Sequence, residues 1–291
     1  MRVIESSELI VNSDGTIFHL HISPAELADT VILVGDPGRV DIVASFFESK
    51  EFRRSSREFV SVTGRYKGKR MTVLSTGIGT DNIDIVMNEL DALVNIDLDK
   101  KIAKQERRSL TILRIGTSGA IQKDIPLGTY VLSDMSVGFD GLLNWYGGRD
   151  SVCDLEMEEA FTTHMNWPVS LPAPYFISSG RKLAKVLSDF STTGITISAP
   201  GFYAPQGRVL RLPLALKDLL HNLETFSFNG HRITNFEMEG SAIAGLSALM
   251  GHEAATICCI IANRYLGESQ TNYKPLMNDL IIKSLDRLST L

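Results

Sequence analysis

Two arginines stand in glycine-bearing segments that follow apolar runs, an arrangement suited to holding an anion. Val34-Gly35-Asp36-Pro37-Gly38-Arg39-Val40 follows the run Thr30–Val34 directly. Its glycines let backbone approach a ligand closely, and free N–H groups beside a guanidinium suit a phosphate-like group. Arg114-Ile115-Gly116-Thr117-Ser118-Gly119 places an arginine at the end of another apolar run. A charge there needs a carboxylate partner or a bound anion. Ser75-Thr76-Gly77-Ile78-Gly79-Thr80 is a third small-residue turn. Asn82 occupies the place of the third glycine of a dinucleotide fingerprint and no P-loop lysine follows, so neither fingerprint is met. Ligands of open α/β sheets gather at the C-terminal ends of strands, so the three segments are expected to share one anion pocket.

Other residues offer different chemistry. In Phe202-Tyr203-Ala204-Pro205-Gln206-Gly207-Arg208 an amide and a guanidinium lie two residues apart beside an aromatic ring. Their fixed planes of donors and acceptor suit the edge of a flat heterocycle, with Phe202 as a stacking face. Glu237 and Glu239 open a small-residue segment. They would share a face if extended and diverge by about half a turn on a helix, where one can be buried and one exposed, so a paired-carboxylate glycosidase is not implied. The six histidines show no metal-ligand spacing with a matching carboxylate, so no catalytic metal is predicted. No G-x-S-x-G elbow occurs.

These residues must be positioned by strands and helices. Short apolar runs at Thr30–Val34, Met71–Leu74, Leu110–Ile115, Tyr130–Leu132, Gly194–Ile197 and Ala255–Ala262 read as strands buried on both faces. Ile83, Val86, Met87, Leu90 and Leu93 recur at helical spacing, with Asp81 and Asn82 as candidate caps. Leu183, Val186, Leu187 and Phe190 form a second stripe. Further helices are expected from about Glu237 to Met250 and from about Leu276 to Leu288. Alternating strands and helices predict an α/β fold. Residues 1–291 are read as a single domain, with 1–16 as an N-terminal extension. The charge run Asp97–Arg108 is read as a solvated loop or helix extension, and Asp140–Pro174 as a surface excursion.

Composition narrows the function classes. The 29 basic and 34 acidic residues give a net charge of −5, against a nucleic-acid partner. Apolar residues at 44% supply a core and exclude disorder as the main state. No apolar run approaches a membrane span, and the first residues do not read as a signal peptide. Three cysteines without C-x-x-C argue against a disulfide framework and for the cytoplasm.

Taken in order, Ile17-Phe18-His19-Leu20, Gly35 to Val40, Ser56-Arg57-Glu58-Phe59, Ser75 to Gly79, Arg114 to Gly119, Phe202 to Arg208, Phe236-Glu237-Met238-Glu239 and Ala262-Asn263-Arg264 resemble the nucleoside phosphorylase family, on its pyrimidine-specific branch. The resemblance spans Ile17 to Leu266. It implies one α/β domain with a central mixed, partly barrel-like sheet flanked by helices. It implies phosphorolysis of uridine, and of deoxyuridine, to uracil and (deoxy)ribose 1-phosphate. Inorganic phosphate is then a co-substrate and no cofactor is required. By the same resemblance Gly35, Arg39, Arg114 and Thr117 hold phosphate, with Arg57 reaching the neighbouring subunit's phosphate. Met238 and Glu239 hold the ribose, and His19 is lent across the interface with Phe18 beside it. Phe202, Gln206 and Arg208 bind the base, with Arg264 behind it acting through water. Arg114, Glu239, Gln206 and Arg208 carry the catalytic charge stabilisation. The active site is shared between two subunits of a homodimer or homohexamer, with a monovalent cation, K+, near Glu58 at the dimer interface. Asn263 stands where purine-specific relatives carry an aspartate, and an amide cannot act as a general acid. The competing readings are a purine nucleoside phosphorylase, a nucleosidase, and a non-catalytic nucleoside-binding protein.

Overall fold

In a computed structural model, residues 2–291 are described. The chain opens with the strand β1 (Thr30–Val34), the helix α1 (Pro37–Ser45), and the strands β2 (Ser49–Ser56), β3 (Phe59–Tyr66) and β4 (Lys69–Ser75). Next come α2 (Thr80–Asn95), the short hairpin β5 (Ile96–Asp97) and β6 (Ile102–Ala103), β7 (Thr111–Ala120) and β8 (Tyr130–Gly138). The middle carries α3 (Leu155–Met165), β9 (Tyr175–Ser178), α4 (Arg181–Leu187) and β10 (Thr192–Ser198). The last part holds α5 (Leu219–Thr225), β11 (Ser227–Phe228), β12 (His231–Glu237), α6 (Gly240–Met250), β13 (Glu253–Asn263), β14 (Glu268–Ser269) and α7 (Lys274–Ser289).

All strands but β5 and β6 join one mixed sheet, in the order β11-β12-β10-β8-β13-β7-β1-β4-β3-β2 with β9 and β14 attached at β8 and β13. An antiparallel contact between β12 and β7, through Asn235–Ala120 and Phe236–Gly119, closes β12, β10, β8, β13 and β7 into a ring. The fold is therefore the α/β domain with a mixed, partly barrel-like sheet. β1 is parallel to both β4 and β7, and all five of its residues are buried, as its unbroken apolar run requires. The stripe Ile83, Val86, Met87, Leu90 and Leu93 of α2 is fully buried against β1 and α6 residues such as Val31 and Ile243. Neither Asp81 nor Asn82 caps this helix. Gly79 is the capping residue, at φ 100°, and Asp81 lies in the first turn, where its charge complements the helix dipole.

Three further expectations change. The segment Gly116–Gly119 is not a loop, because β7 continues through it in parallel register with β13. Arg114 therefore sits inside a strand. The helix expected from Glu237 begins at Gly240, since Glu237 ends β12 and Glu239 is the residue before the first helical turn. Asp140–Pro174 is not merely a surface excursion. It contains α3, whose Met157, Phe161 and Met165 recur every fourth residue and are buried in a core with Phe176, Phe226 and Phe236. The run Asp97–Arg108 is largely exposed, and Val3 bridges to its Ile102, so the N-terminal extension lies against it.

Candidate functional site

A cleft of about 1210 Å³ collects residues from both halves of the chain. Gly35, Arg39, Arg114 and Thr117 line it together with Met238 and Glu239, and so do Phe202, Gln206, Arg208 and Arg264. Ten of the expected site residues thus share one cavity.

One end is built by the β1–α1 turn and the middle of β7. Asp36 caps α1, its carboxylate accepting the Gly38 N–H at 2.9 Å, and Pro37 starts the helix. This turn sends Arg39 inward, where it is 9% exposed. Its Nη1 donates to the Ile115 carbonyl at 3.4 Å, and among the described residues it forms no ion pair. Burial, and next the neighbouring Arg114 charge, hold Arg39 below the usual arginine range, while Asp36 opposes them weakly. A guanidinium desolvated without a carboxylate is a seat for an anion.

Arg114 has the carboxylate partners that its position called for, and it still lines the cleft. Its Nη1 lies 3.1 Å from Glu237 Oε2, and its Nη2 donates to Glu239. Burial disfavours its charge, but Glu239 and then Glu237 outweigh it and raise its pKa. Both glutamates are buried and face the same guanidinium, which is the extended rather than the helical of their two open arrangements. The reason is local: one residue ends a strand and the other precedes a helix, so both side chains turn toward β7. Glu237 is fully engaged. It accepts the Ser198 hydroxyl, the Glu239 N–H at 2.9 Å and the Gly240 N–H at 2.9 Å. Glu239 accepts the Gly79 N–H at 2.7 Å, which ties the Ser75–Thr80 turn to the same cluster. Burial pushes the Glu239 carboxyl up, and Glu237 adds to that push against the pull of Arg114 and Gly79. A buried triad of this kind gives little net stability over apolar packing. Gly116 makes room for it, because a Cβ there would land on the Arg114 guanidinium. The thiol of Cys258 lies 3.4 Å from Arg114 Nη1, and burial pushes it up to about 12, so it is no nucleophile.

The other end is a turn folded on itself. Gln206 is 3% exposed although it lies in a connection between strand and helix. Arg208 Nη1 donates to Gln206 Oε1 at 2.6 Å and to the Phe202 carbonyl at 2.7 Å. With its oxygen engaged, the Gln206 amide presents its N–H groups as donors. The Arg208 guanidinium lies 3.8 Å from the centre of the Phe202 ring, which is half exposed. Burial, and then Arg264, bring Arg208 down to about 10. Arg264 donates to the carbonyls of Gln206 at 3.0 Å and Gly207 at 3.3 Å, so it fastens the turn directly. Asn263 is saturated by backbone: it donates to Gln122 and Ile125 carbonyls and accepts the Tyr265 and Leu266 N–H groups. Behind the turn, Ala204 and Pro205 border a separate apolar cavity of about 180 Å³ shared with Phe139, Trp167 and Leu219.

His19, Phe18, Arg57 and Glu58 do not line the cleft of their own chain. They form a patch beside α2. The His19 ring stands edge-on to Phe18 at 4.7 Å, and Arg57 lies 5.9 Å from the Phe18 ring centre. Arg57 itself turns the β2–β3 hairpin with φ 54°. Among the described residues no group of three or more acidic, histidine or cysteine residues could hold a metal ion. The sequence reading missed Tyr273 and the segment Gly267–Thr271, which line the cleft after β13. Only Gly267, at φ 69°, gave a local signal there.

The pattern of the phosphorylase superfamily matches residues 29–284. The chain is 30% identical over 268 residues to a uridine phosphorylase of Thermococcus kodakarensis, covering 90% of this chain and 83% of that protein. It is 28% identical to a uridine phosphorylase of Haemophilus influenzae, over 85% of this chain and 86% of that one. Its fold is similar to the crystal structure of a Trypanosoma brucei nucleoside phosphorylase that shows uridine phosphorylase activity, with a TM-score of 0.85, 27% identity, and coverage of 97% and 100% of the two chains.

Proposed function

Since the chain belongs to the phosphorylase superfamily, we propose that it cleaves uridine with inorganic phosphate to give uracil and ribose 1-phosphate. The observation that carries this reading is the polarity of one cleft. Arg39, buried without a carboxylate, lies at one end, and the Phe202–Gln206–Arg208 turn, with its amide donors and aromatic ring, at the other. Glu239 and Met238 lie in the same cleft and serve the sugar that joins the two ends. The uridine phosphorylases named above support the same substrate.

In this mechanism phosphate sits against Arg39, Arg114, Gly35 and Thr117. It approaches the anomeric carbon from the face opposite the base. As the glycosidic bond lengthens, positive charge on the sugar develops beside the phosphate and the Glu239 carboxylate. Negative charge on the departing uracil is met by the Gln206 amide and Arg208. Donors aimed at charge that exists only in the transition state accelerate the chemistry, and the loss of one costs about 3 kcal/mol. Holding both reactants in line supplies much of the rest.

The sites are completed across a subunit interface, by Arg57 on phosphate and His19 at the sugar's 5′ end. Among the described residues Glu58 belongs to no group of three acidic, histidine or cysteine residues that could hold a metal ion. A K+ ion belongs to this reading at the interface, where two copies bring two such carboxylates together. No helix is long and apolar enough to cross a membrane. Three free cysteines agree with a reducing cytoplasm as the compartment.

The test is ultraviolet-monitored cleavage of uridine with and without phosphate, with inosine in parallel. Uracil release that requires phosphate, and slower turnover of inosine, is the expected outcome. Release without phosphate would make the protein a hydrolase. Faster inosine cleavage would overturn the base assignment.

A further inference from the structure

We infer that Glu89 is a positioning residue for His19: it fixes the imidazole's proton on Nδ1 and holds the Phe18–His19–Leu20 segment in the form in which a neighbouring subunit uses it. Glu89 lies in the middle of α2, seventy residues from His19 in sequence and outside every motif considered above. Its carboxylate gathers three groups of one short segment. It accepts the backbone N–H of His19 at 3.0 Å, the backbone N–H of Leu20 at 2.9 Å, and a contact of 2.6 Å with His19 Nδ1. A carboxylate at that contact accepts, so the hydrogen belongs to Nδ1. Nε2 on the far side of the ring is left without a hydrogen-bond partner among the described residues.

The segment needs such an anchor. It belongs to no regular helix or strand, and His21, two residues on, is at φ 57°. Glu89 is 12% exposed in its side chain and His19 28%, so the carboxylate is shielded while the ring reaches the surface. Its position is set by α2, a sixteen-residue helix whose other face is core. A ligand-facing histidine whose second nitrogen is held by a carboxylate is a recurrent way to select one tautomer and one ring orientation. Here the same carboxylate also grips the backbone, so ring and loop are set as one unit.

The inference rests on the proposed function for what His19 does, and the experiment separates the two. Long-range proton–nitrogen spectra of the intact protein, with His19 assigned by the His19→Ala variant, report which nitrogen carries the hydrogen. Hydrogen on Nδ1 in the wild type, redistributed in Glu89→Gln, is expected. A His19 that rests with its hydrogen on Nε2 overturns the inference, whatever the enzyme's substrate. The second readout compares uridine with 5′-deoxyuridine. Glu89→Gln is expected to raise KM for uridine about tenfold, the scale of one charge-assisted hydrogen bond. Its kcat is expected to stay within about twofold, as for an interaction equal in ground and transition states. KM for 5′-deoxyuridine should hardly move, and in a His19→Ala background the Glu89→Gln effect should vanish. An equal loss on both substrates, or a loss that persists without His19, means that Glu89 only stabilises the fold. If the wild type does not cleave uridine, the proposed function fails and the spectra still decide the role of Glu89.

Discussion

Arg39 and Arg114 are both buried, but only Arg114 is neutralised within the chain. That difference assigns them different work: Arg39 is short of negative charge, whereas Arg114 is held by Glu237 and Glu239 as a fixed donor array. The array depends on Gly116, where an added Cβ would meet the Arg114 guanidinium and the Cys258 sulfur. Gly116→Ala is therefore expected to displace Arg114 and cut phosphorolysis about a hundredfold or more, the scale of losing one transition-state donor. Circular dichroism should show the fold retained, because the strand's backbone angles suit alanine. Unchanged turnover would remove Arg114 from the chemistry. A second group, the half-buried Asp140, lies near Ser241 at the start of α6. Asp140 accepts the Leu142 N–H at 2.7 Å and the hydroxyls of Tyr175 at 3.0 Å and Ser241 at 3.2 Å, yet burial pushes its carboxyl up. A folded pKa above the ordinary 3.8 means that the native chain holds this proton more firmly than the unfolded chain. The charge then costs stability above the folded value, and the cost fades as pH falls through it. The melting temperature of Asp140→Asn minus that of the wild type should accordingly be larger near about pH 7 than near about pH 4.5. A gap that widens toward acid would contradict the sign.

At the scale of elements, α3 links the core to the base end of the cleft. The Phe161 ring packs on Phe139, Phe176 and Phe226 at 5.8, 5.2 and 5.1 Å between centres. Phe139 and Trp167 in turn border the small apolar cavity under Ala204 and Pro205, the residues that carry Gln206. Phe161→Ala should cost about 3–5 kcal/mol, read as a fall in melting temperature. It should also raise KM for the nucleoside more than for phosphate, because the Gln206 turn loses part of its support and β1 and β7 do not. An equal rise in both would deny that link. α3 also shows what a sequence conceals. Its stripe of Met157, Phe161 and Met165 is present, but flanking tryptophans, glycines and prolines make the region read as a surface excursion. β2 was illegible for another reason: Ser49–Ser56 has no apolar period, and only its ladder to β3 makes it a strand. β1 was legible because strands buried on both faces are apolar throughout. At the site the residue types announced the cleft, whereas the Arg114 triad stayed hidden. It depends on β12 ending at Glu237, and boundaries are set by tertiary contacts such as Ser198 to Glu237.

At the scale of the whole molecule, the residues expected at the site fall in two places. Ten line one cleft, while His19 and Arg57 stand outside it in a patch organised around Phe18, on the side of α2 gripped by Glu89. Within one chain that patch does not line the cleft. A symmetric pairing in which each copy offers its patch to the other's cleft gives it a use, and a two-fold arrangement satisfies both sites at once. The consequence is complementation. Arg57→Ala and Arg114→Ala should each be nearly inactive alone, since every site in either homodimer lacks one arginine. After unfolding and refolding as an equal mixture, half of the dimers should be hybrids, and each hybrid has one site with both arginines intact. Activity should therefore return to about a quarter of the wild-type value, by counting sites in randomly assorted dimers. The measurement is the phosphate-dependent rate of the refolded mixture against each variant refolded alone. Arginines acting in the same chain would leave the mixture as inactive as its parts, because every chain carries one defect and no pairing could repair it.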